Sequence, residues 1–266
     1  MTSTHMIFGS WALTPMMILE DEYVSEHAAT LRGQSIGLAL VAILNGVQIA
    51  ANNASLAVME LSMNQVVRAG VPVLTALMGI SIEGKVPTAL ELAALIGVSA
   101  GVVVCVFNDS GASSAMGVLL VGVSAVVQAA QMSLSSRLMT KKLSSFQMTF
   151  YTGPVAFLLL LPWALWYEAE TFVRACEQQP MGVVAFLLGG CVMAVMYNVV
   201  FFQCLQTISS VGTSIMGNVK IVFLILLSAV TLGELATWPR NQYIGCFLTF
   251  GGTFWYSYLK QAAKKR

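Results

Sequence analysis

About nine runs of predominantly apolar residues, each roughly 17–25 long and parted by short polar turns, fill this chain almost from end to end. They fall near residues 4–19, 35–58, 62–81, 88–107, 114–137, 146–167, 181–204, 210–232 and 241–259. Runs of this length match the hydrocarbon thickness of a bilayer when helical. Inside lipid, a helix satisfies every backbone N–H and C=O without outside help. A soluble alternative fails on charge: Asp, Glu, Lys and Arg make up 9% of the residues, against about 25% in an ordinary soluble domain. The sequence therefore predicts an all-α polytopic membrane protein of about nine transmembrane helices. The first run is the least typical, being short and carrying His5 and Pro15. The longest loop, EDEYVSEHAATLRG from Glu20 to Gly33, is acidic.

Basic residues set the orientation. Nine of the thirteen (Arg32, Lys85, Arg137, Lys141, Lys142, Lys260, Lys264, Lys265 and Arg266) fall on one side under a nine-helix count. Only Arg174 and Arg240 fall on the other. The richer side is expected to be cytosolic, and it includes the C-terminus. The same parity puts the N-terminus on the far side, which a missing first helix would explain.

Two segments share a pattern: SMNQVVRAGVPVLTALMGISIEGK from Ser62, and SIMGNVKIVFLILLSAVTLGEL from Ser214. Each opens on a short polar step, reaches a basic residue six or seven places in, and runs on to a Gly/Glu turn. Each is followed by an apolar helix rich in small residues, LIGVSAGVVVCVF or YIGCFLTFGGTFWYS. The copies are the third and eighth runs, an odd offset of five, so they cross the membrane in opposite directions. That is the pattern of an inverted-topology repeat, common among secondary transporters. The halves are taken as 1–112 and 113–266.

Arg68 and Lys220 are the basic residues inside the spans, one in each copy. A cation there costs about 3 kcal/mol on insertion scales and marks a wet cavity or a solute path. Two cations near the repeat interface repel unless an anion lies between them, and phosphate suits a Lys–Arg pair. Snorkelling to a helix end is the plain alternative for Lys220. Gly217 and Asn218 precede it and could open the backbone to a solute; helix packing explains the glycine equally well. Gly70 and Pro72 in RAGVP predict a broken or kinked helix beside Arg68. Asn52 and Asn53 are polar within an apolar run, where hydrogen bonding between helices is the plain reading.

The segment ASLAVMELSMNQVVRAGVPVLTAL resembles the fourth-helix region of the triose-phosphate and nucleotide-sugar translocators of the drug/metabolite transporter superfamily. SSFQMTFYTGPVAFLLLLPWALWYE, GNVK, and the spaced pattern from Gly245 to Lys260 fit the same family. The resemblance implies ten helices in two inverted halves, of which this chain looks like helices two to five (1–112) and six to ten (113–266). It implies that Lys220 binds substrate phosphate, with Arg68 where relatives place a lysine, and Tyr197 as a further contact. Asn64 and Gln65 look like the nucleotide-sugar branch, and Ile221 stands where plastid phosphate translocators have arginine. The expected solute is therefore a nucleotide sugar, exchanged for a nucleoside monophosphate across a Golgi or ER membrane. A sugar phosphate, another organic anion, or a truncated paralogue without transport are the alternatives.

The expected partners are a small anionic phosphorylated solute and the lipid bilayer, and a homodimer is compatible with both. Nucleic acid is not among them, since the net charge is +1 and scattered over short loops. No cofactor or metal is expected. The five cysteines lack metal or disulfide spacing, and no HExxH, GxSxG or Gly-rich phosphate loop occurs. An enzyme is not expected.

Overall fold

The structure, a computed structural model, describes residues 2–18, 23–84, 86–107, 114–139, 143–167, 169–233 and 239–264. Among these residues the chain is helical with no strand. In chain order the helices are α1 (Thr2–Ile18), α2 (Tyr23–Leu56), α3 (Leu61–Arg68), α4 (Val71–Glu83), α5 (Ala89–Phe107) and α6 (Ala115–Met139). There follow α7 (Ser145–Tyr167), α8 (Ala169–Gln178), α9 (Pro180–Ile208), α10 (Ser210–Thr231) and α11 (Arg240–Lys264). Five segments of the described chain are long and apolar enough to cross a membrane: Arg32–Leu56, Leu61–Glu83, Ala115–Met139, Ser145–Trp166 and Pro180–Ile208. This establishes an all-α polytopic membrane protein, while the count of nine spans rests on the sequence.

Two local differences from the sequence reading have simple causes. Residues Tyr23 to Gly33, expected as loop, open α2: the stretch has no proline or turn pair, and its charges do not oppose helix. The segment AETFVRACEQ, also expected as loop, forms α8, a short amphipathic helix with no buried residue. On it Glu170 and Arg174 pair one turn apart. Two helices begin with reciprocal caps. At α7 the Ser144 N–H donates to Gln147 Oε1 (3.0 Å), and the Gln147 N–H returns to Ser144 Oγ (3.2 Å). At α5 the Thr88 N–H donates to Glu91 Oε2 (2.7 Å).

The chain packs as two compact units, Met1–Val47 with Leu134–Thr207, and Gln48–Ser133 with Ile208–Arg266. The first unit is built on α1 against α7, where the Ser10 hydroxyl donates to the Phe150 carbonyl (2.9 Å). The second unit holds both segments that the sequence pairs as a repeat. Here α10 packs on α3 and α4, and α11 packs on α5.

The contacts in this second unit run in opposite directions along each pair. Val211 and Ile215 lie by the cluster containing Ala76, whereas Ile221 packs with Val66 and Ala69. Along α11, Gly245 and Thr249 meet Gly101, and Gly252 meets Val98 and Ala94. Each copy also closes on a left-handed glycine, Gly84 at φ +71° and Gly233 at φ +66°. The inverted repeat and its boundary after residue 112 remain a proposal.

Candidate functional site

The span Leu61–Glu83 breaks immediately after Arg68. Pro72 has no N–H to give the Arg68 carbonyl, so the ladder cannot pass this point. The backbone tightens instead: the Ala69 N–H reaches both the Gln65 and Val66 carbonyls, and the Gly70 N–H reaches that of Val67 (3.1 Å). Arg68 thus sits at the C-terminal end of α3, in the interior of a helix pair that the sequence reads as one crossing.

The half-buried Arg68 guanidinium is held by neutral acceptors from two other helices of the same unit. Its Nη1 donates to Asn52 Oδ1 on α2 (2.7 Å) and, at 3.5 Å, to Ser124 Oγ on α6; its Nη2 donates to Gln128 Oε1 (2.8 Å). The Ser124 hydroxyl itself donates to the Gln48 carbonyl (2.8 Å), which leaves its oxygen to accept from the arginine.

Asn64 and Gln65 join this network. Asn64 is completely buried, with its amide donating to Ser55 Oγ (2.7 Å) and Asn52 Oδ1 (3.3 Å). Its own oxygen accepts from Gln65 Nε2 (3.2 Å). The resemblance implies that this pair touches the solute; the bonds observed make Asn64 a brace behind Arg68.

Asn218 ties the second copy to the break. Its amide donates to the Ala69 carbonyl (3.0 Å) and to Thr253 Oγ1 (3.1 Å), and the residue is buried. Thr253 gives its own hydrogen to the Thr249 carbonyl (2.8 Å), so the Asn218 amide must be the donor in both bonds. Asn218→Asp is nearly isosteric yet would turn a carboxylate oxygen toward the Ala69 carbonyl. It should lower folding stability by about 2 kcal/mol, read as a lower melting midpoint of the purified chain in detergent.

Helical period then sorts the residues of α10. Ser214, Asn218 and Ile221 are buried on the packed face. Gly217 and Lys220, three residues apart, share another face. A Cβ added at Gly217 would meet nothing within 4 Å, and Lys220 is exposed. Packing therefore does not account for this glycine.

Lys220 is ten residues from Ser210 and eleven from Thr231. It lies at the middle of α10, about 15 Å from either end. That distance is beyond what a lysine snorkelling to a helix end covers.

Tyr197 lies in the first unit, exposed on α9 and stacked on Phe201 with ring centroids 6.1 Å apart. Its role rests on the resemblance alone. The structure thus brings Arg68, Asn64, Gln65 and Asn218 together and places Gly217 and Lys220 on the adjoining helix, while Tyr197 belongs to the other compact unit.

Three residues in the network went unrecognised from sequence: Ser55, Ser124 and Gln128. The signal was present on α6, where Ser124, Gln128, Gln131 and Ser135 recur at helical spacing along an otherwise apolar run. Among the described residues no group of three His, Cys, Asp or Glu is placed to hold a metal ion.

Comparison with known proteins adds a family. The profile of the Triose-phosphate Transporter family matches residues 1–257. Among curated proteins of Arabidopsis thaliana, the chain is 28% identical over 204 residues to a UDP-uronic acid transporter, covering 74% of this chain and 65% of that protein. It is 23% identical over 226 residues to a probable sugar phosphate/phosphate translocator, covering 83% of this chain and 62% of that one. A second probable sugar phosphate/phosphate translocator is 25% identical over 238 residues, covering 88% of this chain and 76% of the relative. The chain thus spans slightly less than two thirds of the length of the first two relatives.

Proposed function

The chain belongs to the Triose-phosphate Transporter family, and from that premise we propose that it exchanges phosphorylated organic anions across a membrane. The solute is a nucleotide sugar and the counter-solute a nucleoside monophosphate. The observation that carries the reading is Lys220, exposed at the midpoint of an apolar helix whose opposite face is anchored beside Arg68. A lysine at that depth faces either lipid, at a cost of about 3 kcal/mol, or a wet path. Gly217 on the same face leaves room for a solute to approach the backbone.

Arg68 and Lys220 take the phosphate groups, and Asn64 and Gln65 hold the arginine side of the site in shape. Ile221 is buried against Val66 and Ala69, so the position that follows the lysine supplies packing in place of a second clamp cation. With fewer charges to grip a small phosphate, a larger solute with further contacts is favoured. The relative that carries UDP-uronic acid in its name agrees with that choice. A sugar-phosphate carrier is the second reading, favoured by the names of the two translocator relatives. The membrane is that of the Golgi or ER, with the C-terminus in the cytosol.

Obligatory exchange is expected of a site with two cations, because returning them across the membrane without a bound anion is costly. The test is counter-flow in proteoliposomes. Labelled UDP-glucuronate, UDP-galactose or glucose 6-phosphate is offered outside, against UMP or inorganic phosphate inside. Uptake is expected with UDP-sugars outside and UMP inside, at about a tenth or less of that rate into vesicles lacking an internal anion. Equal uptake into anion-free vesicles would refute the antiport.

A further inference from the structure

Arg68 is oriented from two sides by carboxamides. Asn52 on α2 takes Nη1 at 2.7 Å and Gln128 on α6 takes Nη2 at 2.8 Å. A guanidinium is a rigid planar fork, so two acceptors on separate nitrogens fix its plane as well as its position. The acceptors are themselves held. Asn52 Oδ1 also receives the Asn64 amide (3.3 Å), Asn64 is pinned by Ser55, and the backbone carbonyl of Asn52 accepts the Ser55 hydroxyl (2.7 Å).

We propose that Asn52 and Gln128 are positioning residues that aim the Arg68 guanidinium at the phosphate group of the solute, and that their neutrality is what keeps the arginine selective for anions. The inference rests on the reading of Arg68 as an anion-binding residue, and it assigns a role to two residues with no part in that reading. An amide and a carboxylate have nearly the same shape, and either oxygen would accept from Nη1 or Nη2. They differ in charge: a carboxylate at 2.7 Å would spend the guanidinium's field on an internal ion pair. Chain geometry alone is therefore indifferent to Asn against Asp at position 52, whereas anion affinity is not.

The experiment compares the full chain with Asn52→Asp, Asn52→Leu, Gln128→Glu and Arg68→Ala. Apparent dissociation constants for inorganic phosphate and for UDP-glucuronate are read from ligand-induced shifts of the melting midpoint in detergent. Asn52→Asp and Gln128→Glu are each expected to melt at or above the parental midpoint and to bind both anions about tenfold more weakly. Asn52→Leu, which removes the acceptor without adding charge, is expected to weaken both anions as well, whereas a merely structural acceptor would lower the midpoint in Asn52→Leu and leave both constants at their parental values.

The inference is overturned if the two carboxylate variants keep parental anion affinity while Arg68→Ala loses it. Loss of folding in both variants also overturns it, because a carboxylate beside a guanidinium should hold the helices together at least as well. Parental affinity in Arg68→Ala would remove the anion-binding reading itself, and this inference with it.

Discussion

Lys220→Ala is expected to lower anion exchange by about 100-fold, the loss that follows from removing one partner of a desolvated charge contact of about 3 kcal/mol. The chain should meanwhile melt close to the parental midpoint, since Lys220 is exposed and lies off the packed face of α10. These two readouts together separate a solute-binding lysine from a structural one. A lysine that held helices together would lower the melting midpoint when truncated; one that faced lipid by accident would raise it and leave exchange untouched. The midpoint placement within α10 and the exposure beside Gly217 favour binding. Lys220→Arg keeps the charge and should retain part of the activity, with a raised KM from the bulkier head group. Counter-flow rates at saturating and sub-saturating substrate supply both numbers, and parental exchange by Lys220→Ala would remove this residue from the site.

Much of this arrangement was legible because charges and helix breakers are rare in an apolar chain and so carry information where they occur. Arg68 and Lys220 stood out as cations within spans, and Gly70 with Pro72 announced the break that the backbone shows after Arg68. The pairing of the two copies could be inferred from their shared polar step and glycine turn, although not which helix would lie on which. Direction was the missing quantity for the amides. Asn64 and Asn218 read as polar groups available to a solute, yet both spend their amide hydrogens on the protein: Asn64 on Asn52 and Ser55, Asn218 on Ala69 and Thr253. A sequence shows that a side chain is polar; only the fold shows which neighbour takes its hydrogens.

Gln128 was missed for the converse reason. One glutamine among Ser, Ala and Val on α6 looks like ordinary packing between helices, and its meaning comes from an arginine 60 residues earlier. Helix α8 escaped because its charges suggested a loop, while its ten residues alternate with helical period. Tyr197 shows a limit of another kind, since a motif can name a residue without placing it. It lies in the first unit, whereas every other residue assigned to the site lies in the second.

Gly101→Ala is expected to be the most damaging single-methyl change in the second unit. A Cβ at Gly101 would stand 2.5 Å from both the backbone nitrogen and the hydroxyl of Thr249, and 2.7 Å from the Gly245 carbonyl. Two of these three obstacles are backbone, so no side-chain rotation clears them, and α11 must move off α5. Overpacking of this kind costs about 3 kcal/mol. Thr249 Oγ1 donates to the Gly245 carbonyl at 2.8 Å, so that hydrogen bond is strained by the same intrusion.

The matched control is Gly97→Ala, one turn earlier on α5. A Cβ there meets nothing within 4 Å, and the substitution should be neutral or stabilising by up to about 1 kcal/mol through helix propensity. Melting midpoints in detergent that fall by several degrees for position 101 and hold or rise for position 97 would establish close backbone contact between α5 and α11. Equal midpoints for the two variants would mean that these helices do not approach this closely. The result also bears on the site, because Thr253, the acceptor for Asn218, lies one turn beyond Thr249 on α11. If α11 is displaced, Asn218 loses that partner, and Gly101→Ala should lower exchange by more than its loss of folded protein alone explains.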